Sequence, residues 1–254
     1  MVALITGGSS GMGLAYAREL AARGYDLVLV GNRAEELDAA ASALRAASPA
    51  AVRTRFQDLA VPDAADALFA WCRAEGILPD VLVNNAGMFF FKELQPSDLD
   101  RVQAMLDLHV ATVTRMCLLF GGAMKERGSG YILNVSSMAA RLPVPGITVY
   151  AATKSYLRSF GRSLSYEMRP YGVGVTTVCP AAIATPLYRL DPKLMRMGLR
   201  IGLIRTPEWL VRRALRALFR GRRVVSPGFM NIWLPALIAS LPGPLIQRIW
   251  KKVR

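Results

Sequence analysis

The sequence contains one histidine and three cysteines, and this scarcity excludes several classes of site. His109 alone cannot form a His-based zinc site, and it argues against a Ser-His-Asp hydrolase. The cysteines, Cys72, Cys117 and Cys179, are odd in number and have no C-x-x-C spacing, so neither a disulfide framework nor a thiolate metal site is indicated. We therefore predict no metal centre, and we expect a protein of the reducing cytoplasm.

Acidic residues are almost absent from the last quarter of the chain. Residues 193–254 hold fourteen lysines and arginines against one acid, Glu208, so this segment carries +13 of the net charge of +14. A segment of this charge favours anionic lipid, an acidic carrier protein or a CoA-type substrate as its partner. No recognised DNA- or RNA-binding motif accompanies the charge, and we expect no nucleic-acid partner.

The same segment lacks any charge over residues 224–247. These 24 residues are long enough to span a bilayer, but Pro235 and a later Pro-Gly-Pro segment interrupt a single helix. Three interpretations stay open: a membrane span, an interfacial helix pair anchored by Trp233, Trp250 and the basic C-terminus, or a cover over a substrate pocket or subunit interface. The second predicts peripheral contact with the anionic inner face of a membrane, and all three suggest a lipophilic substrate.

A glycine-rich turn follows the first apolar run of the chain. The run at residues 2–5 predicts a buried strand, and a helix is expected from about Leu14. Between them lies the segment Thr6-Gly7-Gly8-Ser9-Ser10-Gly11-Met12-Gly13. Glycines let the backbone approach a pyrophosphate, and the free N–H groups of a helix N-terminus attract it. The turn therefore predicts a nucleotide site.

The next strands end in residues that suit a nicotinamide dinucleotide. No acid is present in Gly31-Asn32-Arg33, and a basic residue here suits the extra phosphate of NADP, whereas an acid would suit the ribose of NAD. Asp58-Leu59 ends the third strand, where the carboxylate either meets the adenine or serves as an N-cap. The fourth strand ends in Asn84-Asn85-Ala86-Gly87, whose amides and glycine allow close approach to a cofactor.

Tyr150, Lys154 and Ser137 are the candidates for chemistry. On a helix, the four-residue spacing of Tyr150 and Lys154 puts both side chains on one face, so that an ammonium lies near a phenol. A nearby cation favours the ionised phenol, which can then exchange protons near neutral pH. Ser137 follows the strand predicted at 131–135 and could hydrogen-bond a carbonyl or alcohol oxygen. This arrangement indicates proton transfer.

Strands and helices alternate as far as residue 178 without an internal repeat or a change in composition. Six βα units predict one α/β domain, a doubly wound Rossmann-like fold with a mainly parallel sheet flanked by helices. We assign residues 1–190 to its NADP-binding and catalytic core. Residues 191–254 are predicted as a substrate lid and a basic, apolar helical C-terminal extension of the same domain, with a basic amphipathic helix after Thr206.

In this order and spacing, the motifs resemble the short-chain dehydrogenase/reductase family in its Tyr-x-x-x-Lys branch. The resemblance covers roughly residues 1–190. It rests on Thr6-Gly-x-x-x-Gly-x-Gly13, Asp58, Asn84-Asn-Ala-Gly87, Asn134-Val-Ser-Ser137 and Tyr150-x-x-x-Lys154. It implies a Rossmann-like fold, a nicotinamide cofactor, which Asn32 and Arg33 favour as NADP(H), and hydride transfer to or from a carbon that bears oxygen.

The resemblance also implies roles for individual residues. Tyr150 is the general acid in reduction and the base in oxidation, Lys154 tunes it and bonds the nicotinamide ribose, and Ser137 polarises the carbonyl. The implied cofactor contacts are Gly7, Ser9, Ser10, Gly11, Met12, Gly13, Asn32, Arg33, Asp58, Leu59, Asn85, Ala86, Gly87, Tyr150, Lys154, Pro180, Ile183 and Thr185.

The chain departs from the family pattern at two positions. Many members have an asparagine that supports a proton-relaying water chain where this sequence has His109. His109 is either a pH-sensitive relay or a hydrogen-bonded helix residue without a role. Ala181 follows Pro180 where glycine is usual, so its Cβ is expected to narrow the space near the nicotinamide.

The sequence therefore predicts an NADP-dependent enzyme acting on a hydrophobic, lipid-like substrate. It reduces a ketone or 3-oxo group, or oxidises the matching secondary alcohol. The alternative is a membrane-associated NADP-binding protein without catalysis. We expect a homo-oligomer, dimeric or tetrameric, as is frequent in the family.

Overall fold

Seven parallel strands form one sheet in the computed structural model, which describes residues 1–185, 191–228 and 230–253. Their bounds are β1 Val2–Thr6, β2 Asp26–Gly31, β3 Val52–Phe56, β4 Val81–Asn84, β5 Gly130–Val135, β6 Val173–Val178 and β7 Val224–Val225. They lie in the order β3-β2-β1-β4-β5-β6-β7. Runs of Val, Ile and Leu form the inner strands because a parallel sheet covered on both faces needs apolar side chains on both. The predicted doubly wound α/β fold is confirmed.

The chain reverses its direction across the sheet between β1 and β4. It winds from β1 outwards to β3 and then returns to place β4 beside β1, where Ile5 pairs with Val83. The connections after β1 and β4 leave towards opposite faces of the sheet, and a crevice opens between them at the carboxyl ends of the strands. Ligands of open α/β sheets bind in such a crevice.

Helices cover both faces of the sheet in the described ranges. Their bounds are α1 Gly11–Ala21, α2 Ala34–Ala47, α3 Ala64–Ala74, α4 Leu99–Leu106, α5 Thr112–Arg127, α6 Thr148–Met168, α7 Pro192–Arg200, α8 Pro207–Phe219, α9 Met230–Ala239 and α10 Gly243–Val253. On one face, Tyr16 of α1 and Leu215 of α8 share a core with α2. On the other, Phe120 of α5 and Leu157 of α6 share a core with α3. These two cores fix the strand ends that form the crevice.

Helix α8 belongs to the core of the domain. As predicted, Thr206 caps it, since its hydroxyl oxygen accepts from the Trp209 N–H at 3.3 Å. The apolar face, which includes Leu210 and Leu218, is completely buried against α1, β5 and β6. Strand β7 follows it and extends the sheet beyond β6, with Val178 paired to Val225. The C-terminal segment thus completes the sheet in addition to any covering role. Strand β7 was not predicted, because a strand of two residues is too short to show a periodic pattern.

The two last helices are short and separate. Helix α9 has 10 residues and α10 has 11, so each is shorter than the roughly 20 residues that cross a hydrocarbon core. The Arg141 guanidinium donates to the Asn231 carbonyl oxygen, which ties α9 to the turn after Ser137. The Trp250 ring of α10 packs edge-on against Phe91, with 5.8 Å between centroids. The tail therefore contacts the carboxyl side of the sheet.

One helical stretch of the described chain, Pro96–Arg127, is long and apolar enough to cross a membrane by length and composition alone. Half of its apolar window is buried inside the protein. Met116, Phe120 and Met124 of this stretch lie in the core between α3 and the sheet. Burial of this kind is typical of a core helix, and the stretch does not coincide with residues 224–247.

Candidate active site

A cavity of about 830 Å³ opens at the carboxyl ends of the central strands. Most of the predicted site residues line it: Gly7, Ser9, Ser10, Gly11, Met12, Asn32, Arg33, Asp58, Leu59, Asn85, Ala86, Gly87, Tyr150, Lys154, Pro180, Ile183 and Thr185. Gly13, His109 and Ser137 are not part of the lining; each lies directly behind it and contacts or adjoins a residue that is. The fold therefore brings together segments that are up to 178 positions apart in the sequence.

The turn after β1 has the shape of an anion cradle. Gly7 and Gly11 have φ of 63° and 51°, which residues with a Cβ rarely adopt. A Cβ on Gly13 would lie 1.8 Å from the Gly7 carbonyl oxygen, so only glycine lets α1 begin this close to the turn. Ser10 is the N-cap of α1 and makes no side-chain capping bond. The first amides of α1 are therefore available to an anion.

Three buried side-chain atoms in the cavity lining have no hydrogen-bond partner among the residues that the structure describes. They are Gln57 Oε1, Asn85 Oδ1 and Thr185 Oγ1. The amide of Asn85 is held in place because its Nδ2 donates to the Thr6 carbonyl oxygen at 2.9 Å, which aims Oδ1 elsewhere. Buried polar atoms are normally satisfied, so these three fit a polar ligand. Together with the glycine cradle, they suit a dinucleotide.

An acid missed by the sequence analysis lies just after β2, at the start of the next helix. Glu36, in the first turn of α2, lines the cavity and pairs with Arg33, with 2.6 Å between Glu36 Oε1 and Arg33 Nη1. Its second oxygen accepts from the Ser9 hydroxyl at 3.4 Å. The expectation that no acid is present here holds for residues 31–33 but is wrong for the site. The i, i+3 spacing of Arg33 and Glu36 at a helix start could have indicated it.

Of the two interpretations of Asp58, the N-cap is wrong, because α3 begins at Ala64 and its N-cap is Asp63; the adenine contact stays a prediction. Asp58 Oδ1 accepts from the Ala60 N–H at 3.0 Å, which is a local structural bond. The residue also lines the cavity beside Leu59. The local bond uses one of the two carboxylate oxygens, so the other remains suited to an adenine amino group.

Tyr150 and Lys154 lie on the first turns of α6, and each is 5% exposed. Lys154 Nζ lies 5.6 Å from the centre of the Tyr150 ring and donates to the Val135 carbonyl oxygen at 3.0 Å. Burial lowers the pKa of Lys154 to about 8. The Ser136 hydroxyl donates to the Lys154 carbonyl oxygen at 2.7 Å, which joins α6 to the end of β5. The predicted one-face arrangement of the phenol and the ammonium is present.

Ser137 is buried at the end of β5, where it caps a short helical turn over Met138–Arg141. Its hydroxyl oxygen accepts from the Ala139 N–H at 3.1 Å. Within the described residues it donates to no acceptor, so its hydrogen is available to a substrate oxygen. Of the two adjacent serines after β5, Ser136 is the one that lines the cavity.

His109 is completely buried in a π-helical turn, Asp107–Ala111, between α4 and α5. Its Nε2 accepts from the Met88 N–H at 3.0 Å, so Nδ1 carries the proton of the neutral ring and donates to Thr153 Oγ1 at 3.0 Å. The Thr153 hydroxyl in turn donates to the Tyr150 carbonyl oxygen at 2.8 Å. Burial, and then the Lys154 charge, hold the pKa of His109 well below its usual value. Both ring nitrogens are engaged in positioning α6 and the loop after β4.

Three consecutive aromatic residues form the far side of the cavity, and the sequence analysis missed them. Phe89, Phe90 and Phe91, called the aromatic wall below, follow the Asn-Asn-Ala-Gly segment after one residue, Met88. Phe89 packs edge-on against Tyr150 at 4.9 Å, and the Arg101 guanidinium lies 4.6 Å from the Phe90 ring centre. A run of aromatics after a cofactor motif was the available signal. The wall gives one half of the cavity an apolar surface.

Among the described residues, no group of three or more His, Cys, Asp or Glu side chains is placed to hold a metal ion. The fold and the site define a class of protein: a Rossmann-like, dinucleotide-binding oxidoreductase with a Tyr-Lys pair. The family model described as short chain dehydrogenase matches residues 1–193. The chain belongs to this family, the short-chain dehydrogenases/reductases, whose members are oxidoreductases of CH–OH and C=O groups.

Similar proteins cover almost the whole chain. A very-long-chain 3-oxoacyl-CoA reductase from Macaca fascicularis is 32% identical over 252 residues, which are 97% of this chain and 77% of that protein. The 17-beta-hydroxysteroid dehydrogenase type 3 of Danio rerio is 34% identical over 251 residues, 96% of this chain and 78% of that one. A solved short-chain dehydrogenase from Sphingobium yanoikuyae in complex with NADPH has a TM-score of 0.79 at 29% identity, and the match covers 95% of this chain and 96% of that one.

Proposed function

We propose that the protein is an NADP(H)-dependent reductase of a ketone or 3-oxo group on a hydrophobic, lipid-like molecule. The observation that carries the proposal is the position of Tyr150. It lies between a glycine cradle suited to a dinucleotide and the aromatic wall suited to an apolar chain. The relatives named as a 3-oxoacyl-CoA reductase and a hydroxysteroid dehydrogenase support a lipid-like substrate, and the NADPH complex of the solved neighbour supports the cofactor.

The cofactor would be held by the residues of the polar half. The turn at Gly7–Gly13 and the first amides of α1 would bind the pyrophosphate, and Arg33 with Asn32 would bind the adenosine phosphate. Asp58 and Leu59 would flank the adenine, Asn85 would contact the adenosine half, and Thr185 would bond the nicotinamide amide. When bound, the nicotinamide supplies a hydride to the carbonyl carbon.

The chain's own residues would supply the proton and orient the substrate. The Ser137 hydroxyl donates a hydrogen bond to the carbonyl oxygen and fixes the face that is presented. The Tyr150 hydroxyl gives its proton to that oxygen as negative charge develops there, which avoids a free alkoxide. The Lys154 ammonium, held by Val135, stabilises the phenolate that remains. In the reverse direction, Tyr150 accepts the proton.

Turnover of NADPH with a panel of carbonyl compounds tests this function. We expect oxidation of NADPH with long-chain 3-oxoacyl-CoA or steroid ketones, and general acid catalysis of about 10²–10⁴-fold to be lost in Tyr150→Phe. NADPH binding, followed by its fluorescence, should be retained in that variant. NADPH binding without turnover of any carbonyl would favour the non-catalytic alternative, and full activity of Tyr150→Phe would refute the assigned role.

A second candidate, an NAD-linked alcohol dehydrogenase, is favoured by one observation. Glu36 lines the cavity beside Arg33, and an acid on this side of the cavity can accept hydrogen bonds from the ribose of NAD. Arg33 is the more exposed partner of the pair, at 69% of its side chain, and can turn towards a phosphate. The affinities of Arg33 and Glu36 variants for the two cofactors separate these candidates, as described in the Discussion.

We also propose that residues 191–254 extend the core at 1–190, with α8 and β7 completing the domain and the rest serving as a substrate lid, and that the tail contacts anionic membranes at the cytoplasmic face. Trp233 and Leu237 of α9 are each 60% exposed, and Ile249 of α10 is 48% exposed. The last turn of α10 is basic. Flotation with anionic vesicles tests this contact. Replacing Leu237 and Ile249 by Glu should abolish flotation, and absence of flotation for the intact protein would refute it.

We further propose that the protein is a homo-oligomer, because oligomers are common in its family. Light scattering coupled to gel filtration measures the mass directly. A mass of one chain of 27.7 kDa would contradict this proposal.

A further inference from the structure

A second hollow lies apart from the cofactor cavity and shares no lining residue with it. It has a volume of about 590 Å³. One wall comes from the second half of α6 and the short turn that follows it, and the other comes from the end of α8 and the turn that leads to β7. Six arginines line it, and no acid does: Arg158, Arg162, Arg169, Arg220, Arg222 and Arg223. This set is called the arginine groove below.

The arginines converge because of local geometry. Arg158 and Arg162 share one face of α6 through their spacing of four, and Arg169 begins the short helical turn Arg169–Tyr171 that directly follows the helix. The opposite wall has a fixed backbone, since Thr177 N–H donates to the Arg223 carbonyl oxygen at 2.8 Å and Arg222 N–H donates to the Ala217 carbonyl oxygen at 2.9 Å. A hollow built on two held elements is organised before a ligand arrives.

The charge in the groove is not balanced by the described part of the chain. None of the six guanidinium groups forms an ion pair with a described carboxylate. Arg158 Nε is buried and has no hydrogen-bond partner in the described ranges. The Arg223 guanidinium is oriented by the Tyr166 ring, with 4.4 Å to the ring centre. Six like charges in one hollow repel each other, so an anion that bridges them would be bound favourably.

The chemistry of the side chains indicates the class of anion. A guanidinium presents its donors in a planar fork that matches phosphate in a bidentate manner. Walls with three arginines on each side suit more than one phosphate group at once. We propose that the arginine groove is a binding site for a ligand that carries two or more phosphate groups, separate from the cofactor cavity. Such a ligand is either a soluble polyphosphorylated molecule or the headgroup of a polyphosphorylated lipid.

Calorimetric titration with inorganic tripolyphosphate tests whether the groove binds a soluble ligand. Excess NADPH is present, so that the phosphate contacts of the large cavity are already occupied. The groove pair Arg162→Gln/Arg222→Gln should weaken binding at least about tenfold, because two charge-assisted contacts are removed. A second groove pair, Arg169→Gln/Arg223→Gln, should act alike. The control Arg18→Gln/Arg216→Gln changes the net charge equally at exposed positions outside the groove and should alter the affinity less than about twofold.

Vesicle flotation tests the lipid source. Phosphatidylcholine vesicles with phosphatidylinositol 4,5-bisphosphate are compared with vesicles of equal charge that contain phosphatidylserine. If the protein prefers the bisphosphate vesicles, and both groove pairs lose this preference while the control pair keeps it, the groove binds a lipid headgroup. If the protein binds tripolyphosphate but shows no preference between the vesicles, the groove binds a soluble ligand.

Three results would overturn the proposal. They are no binding of either probe, equal losses in groove and control pairs, and a change of oligomeric mass in the groove pairs. The last would make the groove an interface between copies of the chain. The proposed reductase activity can fail without changing these results, since the groove and the large cavity have no residue in common.

Discussion

The two halves of the large cavity are built in different ways. The cofactor half consists of backbone amides, glycines and short polar side chains that follow directly after β1, β3 and β4. The aromatic wall consists of large side chains whose positions depend on α6, on α4 and on α10 at the far end of the chain. The first half is fixed by local geometry and the second by packing between distant segments. A cofactor site can thus stay constant while the substrate side changes.

The largest expected effect is that of Gly13→Ala, which tests whether local backbone geometry fixes the cofactor half. The new Cβ would meet the Gly7 carbonyl oxygen, so the turn must move and lose charge-assisted bonds to the pyrophosphate. Two such bonds are worth about 3 kcal/mol or more, and we expect NADPH affinity to fall at least about a hundredfold. Fluorescence titration of NADPH measures this. Gly122→Ala is the control, because a Cβ there meets nothing within 4 Å.

The next effect concerns His109, which joins the two halves through Met88 and Thr153. The pKa of His109 is lower in the folded protein than the value of 6.5 that it has in the unfolded chain. Below pH 6.5 the unfolded chain therefore binds more protons than the folded protein, and stability is lost as the pH falls. When the pH falls from 7 to 5, this effect should lower the free energy of unfolding of the native sequence by about 2 kcal/mol. The His109→Asn variant should lack this loss. Urea unfolding at both pH values measures it. As His109 is the only histidine, equal pH dependence in both proteins would contradict its buried, neutral state.

Phe90→Ala tests whether the aromatic wall binds the substrate independently of the cofactor half. Phe90 is 8% exposed, and removing its ring takes apolar surface from the cavity. We expect the KM of a long-chain 3-oxo substrate to rise about tenfold. The KM of a short-chain substrate and the Kd of NADPH should not change, and they serve as internal controls. A uniform rise for all chain lengths would assign Phe90 to folding of the site.

The smallest expected effect is that of Glu36→Gln, which sharpens the assignment of the cofactor half. Loss of the ion pair frees Arg33, so NADPH affinity should rise about threefold, whereas Arg33→Ala should lower it about tenfold. NADH affinity should change little in either variant. Weaker NADH binding in Glu36→Gln with unchanged NADPH binding would instead indicate that Glu36 holds the ribose of NAD.

The sequence allowed the cofactor half to be predicted because its motifs are contiguous and follow strand ends. Tyr150 and Lys154 were predictable for the same reason, since one helix carries both. Glu36 and the aromatic wall were missed because their roles depend on where a neighbouring segment lies, which spacing alone does not reveal. Strand β7 was missed because its two residues are too few to show the alternation of apolar and polar residues that marks a strand. The amphipathic pattern of α8 was recognised, but whether its apolar face meets the sheet or a membrane is decided only by packing against α1.

The position of α8 and β7 has a consequence for synthesis of the protein. The face of the sheet shared by β5 and β6 stays uncovered until residues 207–219 have left the ribosome, and the last strand follows only at residue 224. The nascent chain can form β1 to β4 early, yet it exposes apolar surface until residues 207–225 have been translated and have left the ribosomal tunnel. We therefore expect ribosome-bound chains that stop before residue 207 to recruit chaperones, and those that extend past residue 225 by a tunnel-length linker to be released from them.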